Sequence, residues 1–162
     1  FTDTRFFSTK TGGPVRDYGI VIAIDTSLSM RGLAFANAMT CAYVMIGALR
    51  ATIEHVAVVM YGQTVRIVKP VDAPWTPECD ARMLTATCDD HGTHDVEAIR
   101  IATAMCTEGR EKHVFMFTDG HTTDPPAAIA AAVDAAGNDG VEVTAIGCGT
   151  MQLGLERSYP RY

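Results

Sequence analysis

The residues with the most chemical promise carry oxygen and fall in three short stretches: Asp25-Thr26-Ser27-Leu28-Ser29, Thr93 within His91-Gly92-Thr93-His94-Asp95, and Thr118-Asp119-Gly120. The first reads Asp-x-Ser-x-Ser. In an extended segment residues two apart face the same way, so Asp25, Ser27 and Ser29 can converge on one point while Thr26 and Leu28 turn away. Magnesium takes octahedral oxygen ligands at about 2.0 to 2.1 Å and keeps waters where the protein supplies too few, whereas thiolates and imidazoles suit zinc. The carboxylates of Asp25 and Asp119 with the hydroxyls of Ser27, Ser29 and Thr93 therefore suit Mg²⁺, with Mn²⁺ or Ca²⁺ as related hard cations. The hydroxyls are neutral, so the two acids only balance a divalent charge. Such an ion would still attract one more anionic oxygen.

Each stretch also has a plainer reading. Ser, Thr and Asp satisfy free amide groups at helix starts, so Asp25 and the serines could cap a helix beginning near Gly32, and Thr93 could cap the next one. Asp119-Gly120 could be a simple turn. A separate cluster, Cys88, His91 and His94, has a spacing that zinc could use, with His121 joining from a later loop; otherwise these residues form a polar rim. Catalytic alternatives find less support. A haloacid-dehalogenase-type phosphotransferase places an Asp after its first strand but needs a second acid two residues on, where this chain has Ser27. No Gly-x-x-x-x-Gly-Lys stretch is present, and Gly147-x-Gly149 lacks the third glycine of a dinucleotide site. No Ser or Cys has an evident base beside it, so a non-enzymatic role is expected.

The elements around these residues place them at strand ends. The apolar run Ile20-Val21-Ile22-Ala23-Ile24 reads as a buried strand over residues 18–24, ending at Asp25. Phe35, Met39, Tyr43, Ile46 and Leu49 recur at helical spacing and predict a helix over 32–51. Residues 56–61 form a second buried strand, and Gly62-Gln63 suits a hairpin turn into an antiparallel strand at 65–68. Between 70 and 90 the prolines Pro70, Pro74 and Pro77 predict a long surface loop, with one helical turn near 80–84. A helix over 96–105, a strand over 114–117, a helix opening at Pro125-Pro126 and a strand over 141–146 complete the pattern. The alternation predicts an α/β fold: a mostly parallel sheet with helices on both faces. In such sheets ligands bind beyond the carboxyl ends of the strands, where Asp25 and Asp119 fall.

The 162 residues suit one domain, here read as residues 18–162 behind a lead segment of residues 1–17. A net charge of -6 gives no basic footprint for nucleic acid or anionic lipid, and no apolar run approaches the roughly 20 residues needed to span a bilayer. Five cysteines without regular spacing fit a reducing compartment, so a cytoplasmic location is favoured over an extracellular one. A chain that begins at Phe1 reads as a processed product or a segment of something longer.

The three oxygen-rich stretches, in this order and at these element ends, resemble the loops of a von Willebrand factor A domain. The resemblance implies a Rossmann-like sheet with one antiparallel edge strand. It also implies a metal-ion-dependent adhesion site formed by Asp25, Ser27, Ser29, Thr93 and Asp119, whose open position binds a Glu or Asp carboxylate of a partner protein. Leu28 departs from the family's usual Gly between the serines, which bears on the rim and the partner rather than on the ion. Thr150 to Tyr162 are too few for the family's full last strand and helix, so that end of the domain is expected to be shortened or missing. Ser29-Met30-Arg31-Gly32, Asp119-Gly120-His121-Thr122-Thr123-Asp124 and Ile146-Gly147-Cys148-Gly149 are also similar to the C-terminal domain of the cobaltochelatase T subunit. That similarity implies work beside a MoxR-type AAA+ ATPase. The alternative within the family is a structural domain whose metal site is unused.

Overall fold

The computed structural model describes residues 17–149 and 155–159; most of the lead segment and much of the C-terminal end lie outside the described residues. Five strands form one sheet in the order β3-β2-β1-β4-β5: β1 (Tyr18–Asp25), β2 (His55–Tyr61), β3 (Val65–Lys69), β4 (Glu111–Thr118) and β5 (Val141–Gly147). All neighbours are parallel except β2 and β3, joined by the predicted hairpin. Helices α1 (Leu33–Leu49), α2 (Pro77–Leu84), α3 (Asp95–Met105), α4 (Pro126–Asn138) and α5 (Leu155–Ser158) surround it.

Side chains alternate across a strand, so each strand supplies two cores. Ile20, Ile22 and Ile24 of β1 pack with Ala38, Ala42 and Ile46 of α1 and with Met83 of α2. Val21 and Ala23 face the other way, into a core with Ile99 of α3, Ile129 and Val133 of α4, and Leu155 of α5. This double burial is why β1 is almost wholly apolar before Asp25. The fully buried stripe of α1 is Ala38, Ala42 and Ile46, while Phe35, Met39, Tyr43 and Leu49 flank it half-buried. Small residues at the centre of that stripe let the helix lie close to the sheet.

The stretch between β3 and α3 holds more structure than the expected loop. Pro77 at the first position, Glu78 and Asp80 in the first turn and Arg82 in the last favour a helix there. Cys79 and Met83 anchor it in the core of the α1 face, which turns the single expected turn into the eight residues of α2. All five cysteines are free. Among the described residues no helix is long and apolar enough to cross a membrane.

Candidate metal centre

Asp25 ends β1 and is completely buried. Its Oδ1 accepts the Ser27 backbone N–H at 2.8 Å, and its Oδ2 accepts the Thr118 hydroxyl, at the end of the adjacent β4, at 2.9 Å. The extended path then stops. Leu28–Met30 form a single 3-10 turn, closed by Met30 N–H donating to the Ser27 carbonyl at 3.1 Å. Ser29 therefore reaches the site from a turn rather than from a continuing strand. Even so, Ser27 Oγ and Ser29 Oγ lie 3.0 Å apart. Thr26 and Leu28 do turn away: Thr26 Oγ1 lies 2.9 Å from both the Tyr61 carbonyl and Asp90 Oδ2, and Leu28 is exposed.

The second and third stretches are stitched to the first. Ser27 pairs with Asp90 in an isolated parallel bridge, and Leu28 N–H donates to the Asp90 carbonyl at 2.8 Å. Arg66 holds the same corner, donating to Thr26 Oγ1 at 2.8 Å and to Asp90 Oδ2 at 3.0 Å. Thr93 is buried, and its carbonyl accepts from the Thr123 N–H at 3.0 Å, the Thr123 hydroxyl at 2.7 Å and the Thr122 hydroxyl at 3.2 Å. Asp119 is buried after β4 and uses Oδ1 to accept the His121 N–H at 3.0 Å. Ser29 and Asp119 line one cleft of about 380 Å³.

The capping alternatives are not what these residues do. Neither the 3-10 turn, α1 nor α3 receives a side-chain cap bond from its own preceding residue. The amino end of α3 is held instead by Asp124, whose Oδ2 accepts the Val96 N–H at 2.8 Å. Asp119 does make the turn expected of an Asp-Gly pair, at Gly120 with φ 82, but this engages only one oxygen in the bond to His121.

Burial pushes the Asp25 carboxyl up to about 7, against the pull of the Ser27 N–H, the Ser27 hydroxyl and the Thr118 hydroxyl, with nearby Asp95 adding to the rise. Burial also raises Asp95, at the first position of α3. The Thr122, Tyr61 and Tyr159 hydroxyls lie close enough to pull against that rise, though among the described residues neither tyrosine hydroxyl nor Asp95 Oδ1 makes a hydrogen bond of good geometry. Asp95 and Asp124 lie inside stretches quoted from the sequence but carry no expected role there, and Tyr61 and Tyr159 lie in none of them. Asp95 follows Thr93 by two residues, which is the only sequence hint of its place.

This donor set fits a divalent cation. Asp25 and Asp119 are both buried, at the ends of the adjacent strands β1 and β4, and among the described residues no basic side chain pairs with Asp25. The serine hydroxyls are hydrogen-bonded to each other at 3.0 Å, a spacing that the edge of an octahedron with ligands at about 2.1 Å, about 3.0 Å, would also accept. The zinc cluster fares worse. Among the described residues no three His, Cys, Asp or Glu side chains are grouped to hold a metal, and burial pushes the Cys88 thiol up to about 12, far from a thiolate.

Known structures share the fold. An aerotolerance-related membrane protein from Bacteroides fragilis, carrying multiple mutations to serines, superposes with a TM-score of 0.62 at 20% identity over 80% of this chain and 67% of that one. BatB from Bacteroides thetaiotaomicron gives 0.61 at 22% identity over 80% and 66%. The SpRpn10 VWA domain gives 0.68 at 9% identity over 88% and 82%. The chain thus spans about two thirds of the first two. No curated protein sequence matches. The family model for the von Willebrand factor type A domain matches residues 19–154, the sheet is mostly parallel with the one antiparallel edge strand expected, and the chain belongs to that family.

Proposed function

We propose that this domain is a divalent-cation-dependent protein-binding module, with Asp25, Ser27, Ser29, Thr93 and Asp119 holding Mg²⁺, or Mn²⁺ or Ca²⁺ in its place. The observation that carries the reading is Asp25: a completely buried carboxylate with two hydrogen-bond donors and no basic partner among the described residues. Such a group is costly unless a positive charge is brought to it. When bound, the cation supplies a positive centre able to take one further carboxylate oxygen from outside the domain. Ser27 and Ser29 offer neutral oxygens at octahedral spacing, and Asp119 keeps Oδ2 outside its turn bond.

The role is binding rather than catalysis. One group resembles a nucleophile–base pair, but Thr123 Oγ1 and Asp124 Oδ1 both approach the same His94 nitrogen, at 3.4 and 3.5 Å. The ring therefore does not link the hydroxyl to the acid as a general base must. Domains of this family mediate protein–protein interactions, and a Glu or Asp of the partner is the natural visitor to a site whose own acids only neutralise the ion.

The similarity to the cobaltochelatase T subunit makes a MoxR-type AAA+ ATPase the first partner to test, with this domain as its adaptor. The experiment is binding to a MoxR-type ATPase from the same source, in Mg²⁺ and in EDTA, with the parent chain and Asp25→Ala. The reading expects binding in Mg²⁺ only, lost in the variant. Equal binding in EDTA would show that the contact bypasses the metal.

A further inference from the structure

One half of the sheet is sealed on a single face. Val114 and Met116 of β4 and Val141, Val143 and Ala145 of β5 are buried in the core beneath α3 and α4. The residues that alternate with them face the α1 side, and there His113, Phe115, Glu142, Thr144 and Ile146 are only half-buried. Parallel strands carry apolar side chains on both faces because both faces are covered. Phe115 and Ile146 meet that expectation in type but not in burial.

This open face begins where the chain enters the sheet. The Asp17 carbonyl accepts the Arg110 N–H at 2.8 Å and the Glu111 N–H at 3.1 Å, which fixes the start of β1 beside the start of β4. Tyr18 then opens an aromatic row: its ring lies 6.0 Å from that of His113, and His113 stacks on Phe115 at 6.0 Å. Among the described residues the chain after β5 does not return to this face, since Leu155 and Tyr159 are buried in the core beneath α3 and α4. Residues 150–154 and 160–162 are shorter runs than the seven residues of β5. Within this sequence, residues 1–16 are the run outside the described residues that is long enough to cover the face.

The chemistry of that run matches. It holds the apolar pair Phe6-Phe7, and its basic residues Arg5, Lys10 and Arg16 outnumber Asp3. The face offers apolar area at Phe115 and Ile146 and acids at Glu111 and Glu142, the latter with Oε2 3.8 Å from His113 Nδ1. Phe7 precedes Asp17 by ten residues, a reach of up to about 33 Å. Tyr18 pairs with Glu111, and Phe115 lies four residues farther along β4, about 13 Å away.

We propose that the lead segment folds back over β4 and β5 on the α1 side and seats Phe6 and Phe7 against Phe115 and Ile146. The open face is then an intramolecular docking surface, independent of the cation site.

Nuclear magnetic resonance on the isotope-labelled 162-residue chain tests it. Nuclear Overhauser contacts are expected from the Phe6 and Phe7 rings to the Ile146 methyls and the Phe115 ring. The double substitution Phe6→Ser and Phe7→Ser should remove them and lower the melting temperature by about 5 to 10 °C. Absence of these contacts in the parent chain overturns the proposal, however the variant behaves. Contacts that arise only between labelled and unlabelled copies in a mixed sample also overturn it and assign the face to a second copy. A double variant that melts with the parent overturns it as well, because the two rings would then be covering nothing.

Discussion

Asp25→Asn should stabilise the metal-free protein at alkaline pH and remove its response to Mg²⁺. The replacement keeps the shape and the local bonds: the amide oxygen still accepts from Ser27 N–H, and the amide nitrogen can donate to Thr118 Oγ1, which already accepts the Gly120 N–H. What it removes is the buried charge. The Asp25 carboxyl rises from 3.8 to about 7 on folding, about three units, and each unit is worth about 1.36 kcal/mol, so ionising it in the folded protein costs about 4 kcal/mol. The raised value means that the folded state holds its proton more tightly than the unfolded chain. Its contribution to stability is therefore complete below pH 3.8 and is lost as pH rises through about 7. At pH 8 in EDTA the variant should be more stable than the parent by about 4 kcal/mol, a Tm difference of roughly 10 °C for a domain of this size. Near pH 4 the two should almost coincide. Denaturant melts of both proteins across this range measure the gap, and their difference cancels every other titrating group. A gap that does not widen with pH, or a variant less stable than the parent at pH 8, would refute the claim that Asp25 is a buried charge awaiting a cation.

Three further substitutions probe the supports of the site. Thr118→Val removes the hydroxyl that donates to Asp25 Oδ2 and should cost about 1.5 to 3 kcal/mol in EDTA above pH 7, with a smaller loss near pH 4, by the same melts. Gly120→Ala forces a side chain into φ 82 with its Cβ 3.2 Å from Leu155 Cγ, so it should cost about 1 to 2 kcal/mol and weaken Mg²⁺ binding by displacing Asp119. Asp124→Ala takes away the side-chain acceptor for the Val96 N–H, and a loss of about 1 kcal/mol with faster amide exchange at the start of α3 is expected.

The strand ends were legible because doubly buried parallel strands are apolar without interruption, and the change to Asp25 or to Thr118-Asp119 marks where each leaves the core. The candidate cation donors stand out for the same reason, since several oxygen-bearing side chains at adjacent strand ends have few purely structural uses. The turn at Leu28–Met30 was not legible, because a 3-10 turn and an extended segment make equal use of a Ser-Leu-Ser sequence. Helix α2 was obscured by Pro70, Pro74 and Pro77, which together signal a loop until Pro77 is recognised as a first helical residue. The surroundings of Asp95, shared with Tyr61, Thr122 and Tyr159, and the bond from Val96 N–H to Asp124 are contacts that only the tertiary fold creates. No local spacing encodes them.

Calorimetric titration of Mg²⁺ into the metal-free chain at pH 8, beside Asp25→Ala, tests the central claim most directly. A single binding site in the parent chain, matched by a rise in its melting temperature and absent from the variant, is the predicted result. No heat and no thermal shift in the parent chain, or the same binding in both proteins, would contradict it.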